Sequence, residues 1–335
     1  MKVAFFHTKP YDRDAFEAER KGHEIDYFDQ RLSEETVHLA QGYPAVCVFA
    51  NDILNARVIH ALVEGGTEVL ALRCAGCNHV DFAAVAETGL RVVNVPAYSP
   101  NAVAEHAVAL MQAVNRHLPR AVSQVRMGNY ALHGLVGMDV VDKTVGVVGT
   151  GRIGTVFARI LSRGFGAKVI AHDPYPNDEC RAMGIEYVPL EDLLTRSDII
   201  SLHCPLTEDS HHLIDAAAVA QLKPGVLIVN TSRGAVIDTQ AAIDGLKSGQ
   251  IGGLGIDVYE NEGPLFWEDR SDEPLTDDQF ARLLGFGNVV ITGHQAFLTR
   301  EALAQIAKQT LENLTCIETG TACEREITPT DEQAD

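Results

Sequence analysis

The first hundred residues alternate short apolar runs with longer amphipathic stretches. The apolar runs predict five strands, at Val3–Phe6, Glu24–Phe28, Ala45–Phe49, Val69–Arg73 and Arg91–Val95. Helix-like segments separate most of these runs, which is the pattern of βαβ units in a parallel sheet. Pro96 and Pro100 then interrupt it, and Asn101 is the expected N-cap of a helix from Ala102 to about Arg116.

A second alternating series begins at Lys143. It predicts six further strands, at Thr144–Val148, Lys168–His172, Ile199–Leu202, Val226–Asn230, Gly253–Asp257 and Val289–Thr292. A final helix from Arg300 to about Glu318 is long enough to return to the first series. We therefore expect an α/β protein with two Rossmann-like, doubly wound parallel-sheet domains and a cleft between them. One domain would be discontinuous, with residues 1–100 and 299–335, and the other would span residues 101–298.

One acidic stretch, Asn261–Leu284, does not fit either series. It has two prolines and the only tryptophan, Trp267. This composition predicts an excursion over the domain surface or the cleft.

Composition narrows the class of protein. The 335 residues are 46% hydrophobic and 22% charged, which is ordinary for a globular chain. The net charge of -19 would repel a phosphate backbone and argues against nucleic-acid binding. The apolar run at the N-terminus is too short for a signal peptide, and no run is long enough for a membrane span. We therefore expect a cytoplasmic protein.

The cysteines suggest neither a disulfide framework nor a metal site. Their number, seven, is odd, which with a reducing compartment argues against systematic pairing. Cys74 and Cys77 form one CxxC, but a zinc site would need a second ligand pair and the sequence has no other CxxC. We interpret the motif as two small residues in a tight loop and expect no bound metal.

A glycine motif is the most informative local signal. Gly149, Gly151 and Gly154 lie between a valine-rich strand and an amphipathic helix, as in a dinucleotide-binding loop. Helix-start amides would face the pyrophosphate, and Arg152 adds positive charge. Asp173 ends the next strand, 19 residues after Gly154, where a carboxylate would bind the adenosine ribose and repel the 2′-phosphate of NADP. The motif predicts NAD as cofactor and an NAD-binding role for residues 101–298.

Three chemically useful side chains follow later strands of the same series. Arg233 suits a bidentate grip on a carboxylate, and Glu262 and His294 come after the next two strands. Because the carboxyl ends of parallel strands meet at one edge of a sheet, these groups are expected beside the cofactor. Reduction of a keto acid needs such a cation, such an acid and a carboxylate that keeps the acid protonated.

Motifs along nearly the whole chain resemble the D-isomer-specific 2-hydroxyacid dehydrogenase family, and most closely its D-lactate dehydrogenase branch. The matching stretches are Leu72–Gly76, Val95–Pro100, Gly149–Gly154, His203–Thr207, Asn230–Gly234, Asp257–Glu262 and Gly293–Phe297. The resemblance makes residues 1–100 and 299–335 the substrate (catalytic) domain.

The resemblance also implies roles for particular residues. Arg233 would bind the substrate carboxylate, His294 would be the general acid/base, and Glu262 would pair with His294 and keep it charged. The substrate would also contact Ala75, Gly76, Tyr98 and Phe297. NAD would contact Gly149, Gly151, Arg152, Ile153, Gly154, Asp173, Cys204, Pro205, Thr231 and Asp257.

Phe297 and Tyr98 suggest a compact apolar pocket, and hence reduction of pyruvate to D-lactate. Such a pocket discriminates by only about 1–3 kcal/mol, so hydroxypyruvate and glyoxylate stay open. A phosphoglycerate enzyme would need further cations and a formate enzyme would lack the Glu–His pair. The remaining alternative is a non-enzymatic, NADH-sensing protein similar to the C-terminal-binding corepressors. The resemblance also implies a homo-oligomer, a dimer or a dimer of dimers, formed through the NAD domain.

Overall fold

The two strand series of the sequence form two α/β units. The computed structural model describes residues 1–20 and 22–327. We call Met1–Ser99, with the chain from Leu298 onward, the terminal unit, and Pro100–Phe297 the central unit. The prediction of two parallel-sheet α/β domains is confirmed. Within the described residues, no helix has both the length and the apolar character needed to cross a membrane.

The terminal unit has a six-stranded sheet in the order β13-β5-β4-β3-β1-β2. Its strands are β1 (Lys2–Phe5), β2 (Glu24–Tyr27), β3 (Ala45–Val48), β4 (Val69–Leu72), β5 (Arg91–Val93) and β13 (Glu326–Ile327). Its α-helices are α1 (Pro10–Glu19), α2 (Ala56–Glu64), α3 (Phe82–Thr88) and α12 (Arg300–Thr319). All pairings are parallel except that of β13 with β5, where Arg91 Nη2 lies 2.7 Å from Glu326 Oε2.

The central unit has a seven-stranded parallel sheet in the order β12-β11-β10-β9-β6-β7-β8. Its strands are β6 (Thr144–Val148), β7 (Lys168–His172), β8 (Glu186–Tyr187), β9 (Ile199–Leu202), β10 (Val226–Asn230), β11 (Ile251–Ile256) and β12 (Val289–Ile291). Its α-helices are α4 (Pro100–Asn115), α5 (Leu118–Arg126), α6 (Arg152–Arg159), α7 (Asp178–Ala182), α8 (Leu190–Arg196), α9 (Ala216–Gln221), α10 (Thr239–Ser248) and α11 (Asp278–Leu284). The strand order reverses around β6, where open α/β sheets bind their ligands.

Burial on both faces explains why the central strands are continuous apolar runs. Along β10, Leu227 and Val229 belong to the core on one face of the sheet, and Ile228 belongs to the core on the other. Successive side chains point to opposite faces, so a strand covered on both sides needs apolar residues at every position.

The structure corrects several predicted boundaries. In the terminal unit, β1 to β5 each end one or two residues before the predicted end. In the central unit, β11 begins at Ile251 rather than Gly253, and β12 ends at Ile291. Helix α4 begins at Pro100, so Asn101 lies inside the helix and is not its N-cap. Proline is favourable at the first position of a helix because the amide it lacks would have no partner there.

The unusual stretch Asn261–Leu284 is irregular up to α11, which forms its last seven residues. Trp267 adopts a left-handed backbone with φ of +69°. That conformation is uncommon for a residue with a large side chain.

Candidate active site and cofactor site

Three glycines shape the loop between β6 and α6. Gly149 has φ of +88°, and a Cβ there would lie 2.6 Å from the backbone nitrogen of Cys204. A Cβ on Gly154 would lie 2.0 Å from the carbonyl oxygen of Gly149, so the helix packs closely on the strand end. At Gly151 a Cβ would meet nothing within 4 Å, so this side of the loop is open. The loop can present the first amides of α6 to an anion such as a pyrophosphate.

Asp173 lies beside this loop, directly after β7. One carboxylate oxygen accepts hydrogen bonds from the backbone nitrogen of Thr150, at 2.6 Å, and from its Oγ1, at 2.9 Å. The other oxygen accepts from the backbone nitrogen of Tyr175 at 2.7 Å. Tyr187 supports the arrangement, since its hydroxyl donates to Thr150 Oγ1 at 2.8 Å. A carboxylate fixed at this position suits the diol of an adenosine ribose.

Residues beyond β9 and β10 also fit a bound dinucleotide. Burial raises the pKa of the Cys204 thiol to about 11, so the thiol is uncharged at neutral pH. Thr231 is buried, and its Oγ1 has no hydrogen-bond partner within residues 1–20 and 22–327. A buried hydroxyl without a partner at a strand end is typical of a site that a ligand completes. Together with the glycine loop, these residues fit NAD.

Arg233 lies on a tightly shaped turn after β10. The buried Asn230 accepts hydrogen bonds from the backbone nitrogen of Ser232, at 2.9 Å, and from its hydroxyl, at 2.8 Å. The Asn230 amide donates to the carbonyl oxygen of Arg233 at 2.9 Å. A Cβ at Gly234 would lie 2.1 Å from the carbonyl carbon of Tyr259, so only glycine allows this turn to pack on the loop after β11. The turn therefore fixes the backbone that carries the half-buried Arg233 side chain.

Glu262 and His294 form a hydrogen-bonded pair. His294 Nδ1 lies 2.8 Å from Glu262 Oε1, and the two side chains are 24% and 19% exposed. Glu262 Oε2 accepts from the backbone nitrogen of Tyr259 at 2.8 Å, which fixes the carboxylate. Because Glu262 engages Nδ1, the other ring nitrogen, Nε2, is the atom that can exchange a proton with a ligand.

The aromatic ring of Trp267 lies against His294, with centroids 5.2 Å apart and planes inclined at 42°. The atypical stretch of sequence therefore contributes one wall around the imidazole. This contact restricts the ring orientation that Glu262 sets.

Arg233, Glu262 and His294 follow three adjacent strands, since β10 pairs with β11 and β11 pairs with β12. The sequence-predicted cation, carboxylate and acid thus come from neighbouring positions at one edge of the central sheet. This arrangement resembles what reduction of a keto acid requires.

Comparison with known proteins identifies the family. The profile of the "D-isomer specific 2-hydroxyacid dehydrogenase, NAD binding domain" matches residues 108–296. This chain belongs to the NAD-dependent D-2-hydroxyacid dehydrogenases. The predictions of family, enzyme class and NAD as cofactor are confirmed.

Individual relatives match the dehydrogenase over nearly its whole length. The D-lactate dehydrogenase of Escherichia coli (strain K12) is 50% identical over 98% of this chain and 100% of its own. A structure described as the pyruvate reductase of Chlamydomonas reinhardtii is 45% identical, with a TM-score of 0.92 over 97% of this chain and 98% of its own. The structure of the D-lactate dehydrogenase of Aquifex aeolicus complexed with NAD and lactic acid is 29% identical, with a TM-score of 0.85 over 95% of this chain and 96% of its own.

Asp257 organises the loop of the dehydrogenase that carries His294. It is buried, and its carboxylate accepts from Thr292 Oγ1 at 2.5 Å and from the backbone nitrogens of Gln295 and Ala296 at 2.9 and 2.8 Å. Although burial acts to raise the pKa of Asp257, hydrogen bonds from these groups and from His106 hold it below the usual value. The Asp257 carbonyl oxygen also accepts from the backbone nitrogen of His294 at 2.7 Å. Contact of Asp257 with the nicotinamide stays a prediction.

Two buried or half-buried histidines of the central unit were not predicted as site residues. His106 on α4 lies 3.0 Å from Thr292 Oγ1 and 3.5 Å from Asp257 Oδ1 through its Nε2. His203 lies under the glycine loop, with its Nε2 2.9 Å from Ser201 Oγ. Burial of the ring lowers the pKa of His203 to about 3, so it stays neutral. The residue pair Glu105-His106 carries no motif that would have singled it out, whereas His203 stands next to the predicted Cys204.

The terminal unit contains three of the predicted substrate residues. The carbonyl oxygen of Ala75 accepts from the Asn94 amide at 2.9 Å, and that of Gly76 accepts from Cys74 Sγ at 3.3 Å. These bonds fix the turn after β4. Tyr98 is half-buried near the end of this unit, and Phe297 is buried at the end of the central unit.

Proposed function

We propose that this dehydrogenase reduces pyruvate to D-lactate with NADH. The observation that carries the proposal is the hydrogen-bonded Glu262–His294 pair. Glu262 and His294 follow β11 and β12, the next two strands of the sheet after β10, which precedes Arg233. The names of the similar E. coli, C. reinhardtii and A. aeolicus proteins support the substrate.

In this proposal Arg233 binds the substrate carboxylate with its planar guanidinium and polarises the adjacent carbonyl. Bound NADH supplies the hydride for the carbonyl carbon. His294 donates the proton from Nε2 to the carbonyl oxygen, so that the C=O group becomes an alcohol. Glu262 keeps the imidazole oriented and stabilises its protonated form before the transfer.

The proposed cofactor contacts follow the geometry of the central unit. The amides of Arg152 and Ile153, with the open side of Gly151, would bind the pyrophosphate. Gly149 and Gly154 would let the backbone approach. Asp173 would bind the ribose and reject the extra phosphate of NADPH. Cys204, Pro205, Thr231 and Asp257 would line the nicotinamide half.

The proposed substrate contacts beyond Arg233 and His294 rest on the family resemblance. The backbone at Ala75 and Gly76 would hold the carboxylate, and Tyr98 and Phe297 would surround the methyl group of pyruvate. A small apolar wall favours pyruvate over bulkier keto acids by about 1–3 kcal/mol. The terminal unit would thus have the substrate-binding role that the sequence predicts.

We also propose that the dehydrogenase works as a homo-oligomer, at least a dimer, formed by the central unit. Helix α5 has no buried residue, and a run of large apolar side chains on and after it is exposed. These are Leu118, Val122, Val125, Met127, Tyr130, Leu132, Val136 and Val141. Exposed apolar surface of this kind is typical of a protein–protein interface. Sedimentation equilibrium would test it, and a monomer at all concentrations would contradict it.

The deciding experiment follows NADH absorbance during pyruvate reduction, with NADPH in parallel and chiral analysis of the product. We expect fast turnover with NADH but not with NADPH, and formation of D-lactate. L-lactate, or equal rates with both cofactors, would contradict the proposal. If the enzyme reduced hydroxypyruvate or glyoxylate but not pyruvate, the proposed substrate would be wrong and the proposed mechanism would stand. NADH binding without turnover on any small keto acid would instead favour the corepressor-like alternative.

A further inference from the structure

Two histidines and a carboxylate of the central unit converge outside the acid–base pair. His212 Nε2 lies 2.6 Å from Glu260 Oε1, and the ring of His211 stacks on that of His212 with centroids 4.0 Å apart. One donor atom from each of the three residues lies within 4.8 Å of the others. We propose that His211, His212 and Glu260 bind a divalent transition-metal ion, with zinc preferred.

The donor set matches the chemistry of zinc. Two imidazole nitrogens and a carboxylate oxygen form a three-residue zinc site in proteins, and a water molecule completes the tetrahedron. Imidazole ligands favour zinc and similar ions over magnesium and calcium, which prefer oxygen ligands.

The ligand spacing requires a small adjustment. Tetrahedral zinc with bonds of about 2.0–2.1 Å places its ligand atoms roughly 3.4 Å apart. The separations here reach up to 4.8 Å and must shorten, whereas the 2.6 Å contact of His212 Nε2 with Glu260 Oε1 must open to admit the ion. His211 is exposed, so its side chain can rotate toward the other two ligands without displacing any core residue.

Two of the three ligands are held in place by the fold. The second oxygen of Glu260 accepts from Thr239 Oγ1 at 2.9 Å, at the first residue of α10. The backbone nitrogen of His212 donates to the carbonyl oxygen of Ala235 at 2.8 Å. His212 also has a left-handed backbone, with φ of +52°. Outer contacts of this kind orient metal ligands and raise affinity.

The proposed ion would link two segments of the central unit, the loop before α9 and the loop after β11, and Glu260 connects it to the start of α10 through Thr239. It lies outside the set of residues proposed for pyruvate reduction. We therefore expect it to stabilise the folded chain by binding the native state, and not to supply a step of the reaction. The acidic chain, with a net charge of -19, favours capture of a cation.

Calorimetric titration of the EDTA-treated, metal-free chain with Zn²⁺ tests the site, with NADH present throughout. We expect one zinc per chain in the wild type. His211→Asn and Glu260→Gln should each weaken that binding by about tenfold or more. His133→Asn, at an exposed histidine elsewhere in the central unit, is the matched control and should bind as the wild type does. No zinc binding in the wild type, or equal binding in His211→Asn, would overturn the proposal.

Cobalt substitution separates this site from the seven cysteines. Co²⁺ bound by nitrogen and oxygen ligands should give visible absorption without an intense near-ultraviolet thiolate band, and His211→Asn should lose the visible absorption. A strong thiolate band that persists in His211→Asn would place the metal on cysteine and overturn the proposal. Pyruvate reduction by the metal-free chain, assayed separately, tests the proposed function, so either proposal can fail without the other.

Discussion

Each unit of the dehydrogenase has an arginine beyond the carboxyl end of a parallel strand, but the two arginines lie in opposite environments. The Arg73 side chain, directly after β4, is only 2% exposed. It donates to the carbonyl oxygen of His7 at 2.9 Å and lies 3.5 Å from Asp12 Oδ2. Its guanidinium also lies over the rings of Phe5 and Phe49, at 4.6 and 4.8 Å from their centroids.

Arg233 is half-buried, and its Nη1 donates to the neighbouring carbonyl oxygen of Ser232 at 2.9 Å.

Arg73, by contrast, is charged inside the core. Burial acts to lower the pKa of Arg73, but Asp12, Cys47 and Asp52 outweigh it and the net shift is upward. The surroundings of an arginine, and not its residue type or strand position, therefore separate one that stabilises a fold from one that is available to a ligand.

The largest expected effect is at His294, which belongs to the same proposed site as Arg233. His294→Ala should lower kcat for pyruvate by about 10²- to 10⁴-fold, because it removes the proton donor. NADH affinity should stay near the wild-type value in a fluorescence titration. His133→Asn, an exposed histidine, is the control for both measurements. If NADH affinity fell in step with kcat, His294 would be structural like Arg73.

Arg73→Leu should lower the free energy of unfolding by about 3–5 kcal/mol, because it leaves the buried carboxylate of Asp12 without its cation. Arg233→Leu should change stability by less than about 0.5 kcal/mol, as a substitution outside the core does. Calorimetric unfolding of both variants measures the difference. Equal losses of stability in the two variants would show that Arg233 stabilises the fold as much as Arg73 does.

Arg233→Lys should lower kcat/KM for pyruvate by about 10- to 100-fold, with KM raised. A lysine keeps the charge but loses the planar, bidentate hydrogen bonds, which are worth about 1.5–3 kcal/mol to a charged group. Arg57→Lys, at a side chain that is 82% exposed, is the conservative control. Steady-state kinetics that match the wild type would show that Arg233 acts only as a point charge or not at all.

The smallest effect concerns His203, a half-buried histidine of the central unit. Burial lowers the pKa of His203 in the folded state to about 3. As the pH falls below about 6.5, the histidine is therefore protonated in the unfolded state but stays neutral in the folded state. Stability should therefore fall by roughly 1 kcal/mol between pH 6.5 and pH 5.5, and by roughly 1.4 kcal/mol for each further unit. His203→Gln should flatten this part of the pH–stability curve. Parallel curves for the two proteins would contradict the assignment.

The sequence predicts the central strands well because both faces of the sheet are buried. Two short strands, β8 and β13, escape prediction since two residues show no periodicity. Strand ends are predicted too late where residues such as Phe49 and Arg73 are apolar or buried but lie just beyond the last residue of the strand. Helix α5 was not predicted because its apolar side chains face no core of their own unit.

The candidate site is predictable wherever a residue follows a recognisable strand end, as Arg233, Glu262 and His294 do. It is not predictable where a contact joins distant segments. His106 and Thr292 are 186 residues apart, and nothing in either segment indicates that they meet. Likewise, nothing in the sequence indicates that Asp257 holds the backbone of the loop that carries His294, as its hydrogen bonds show.

Trp267 is the only tryptophan of the dehydrogenase, and its ring lies 5.2 Å from that of His294. Light absorbed selectively by tryptophan is therefore emitted from one place in the molecule, next to the proposed proton donor. A protonated imidazole quenches indole emission, and reduced nicotinamide accepts its excitation energy. The unmodified protein thus contains an optical reporter of both events at the site, with no label attached and no second indole to obscure the signal.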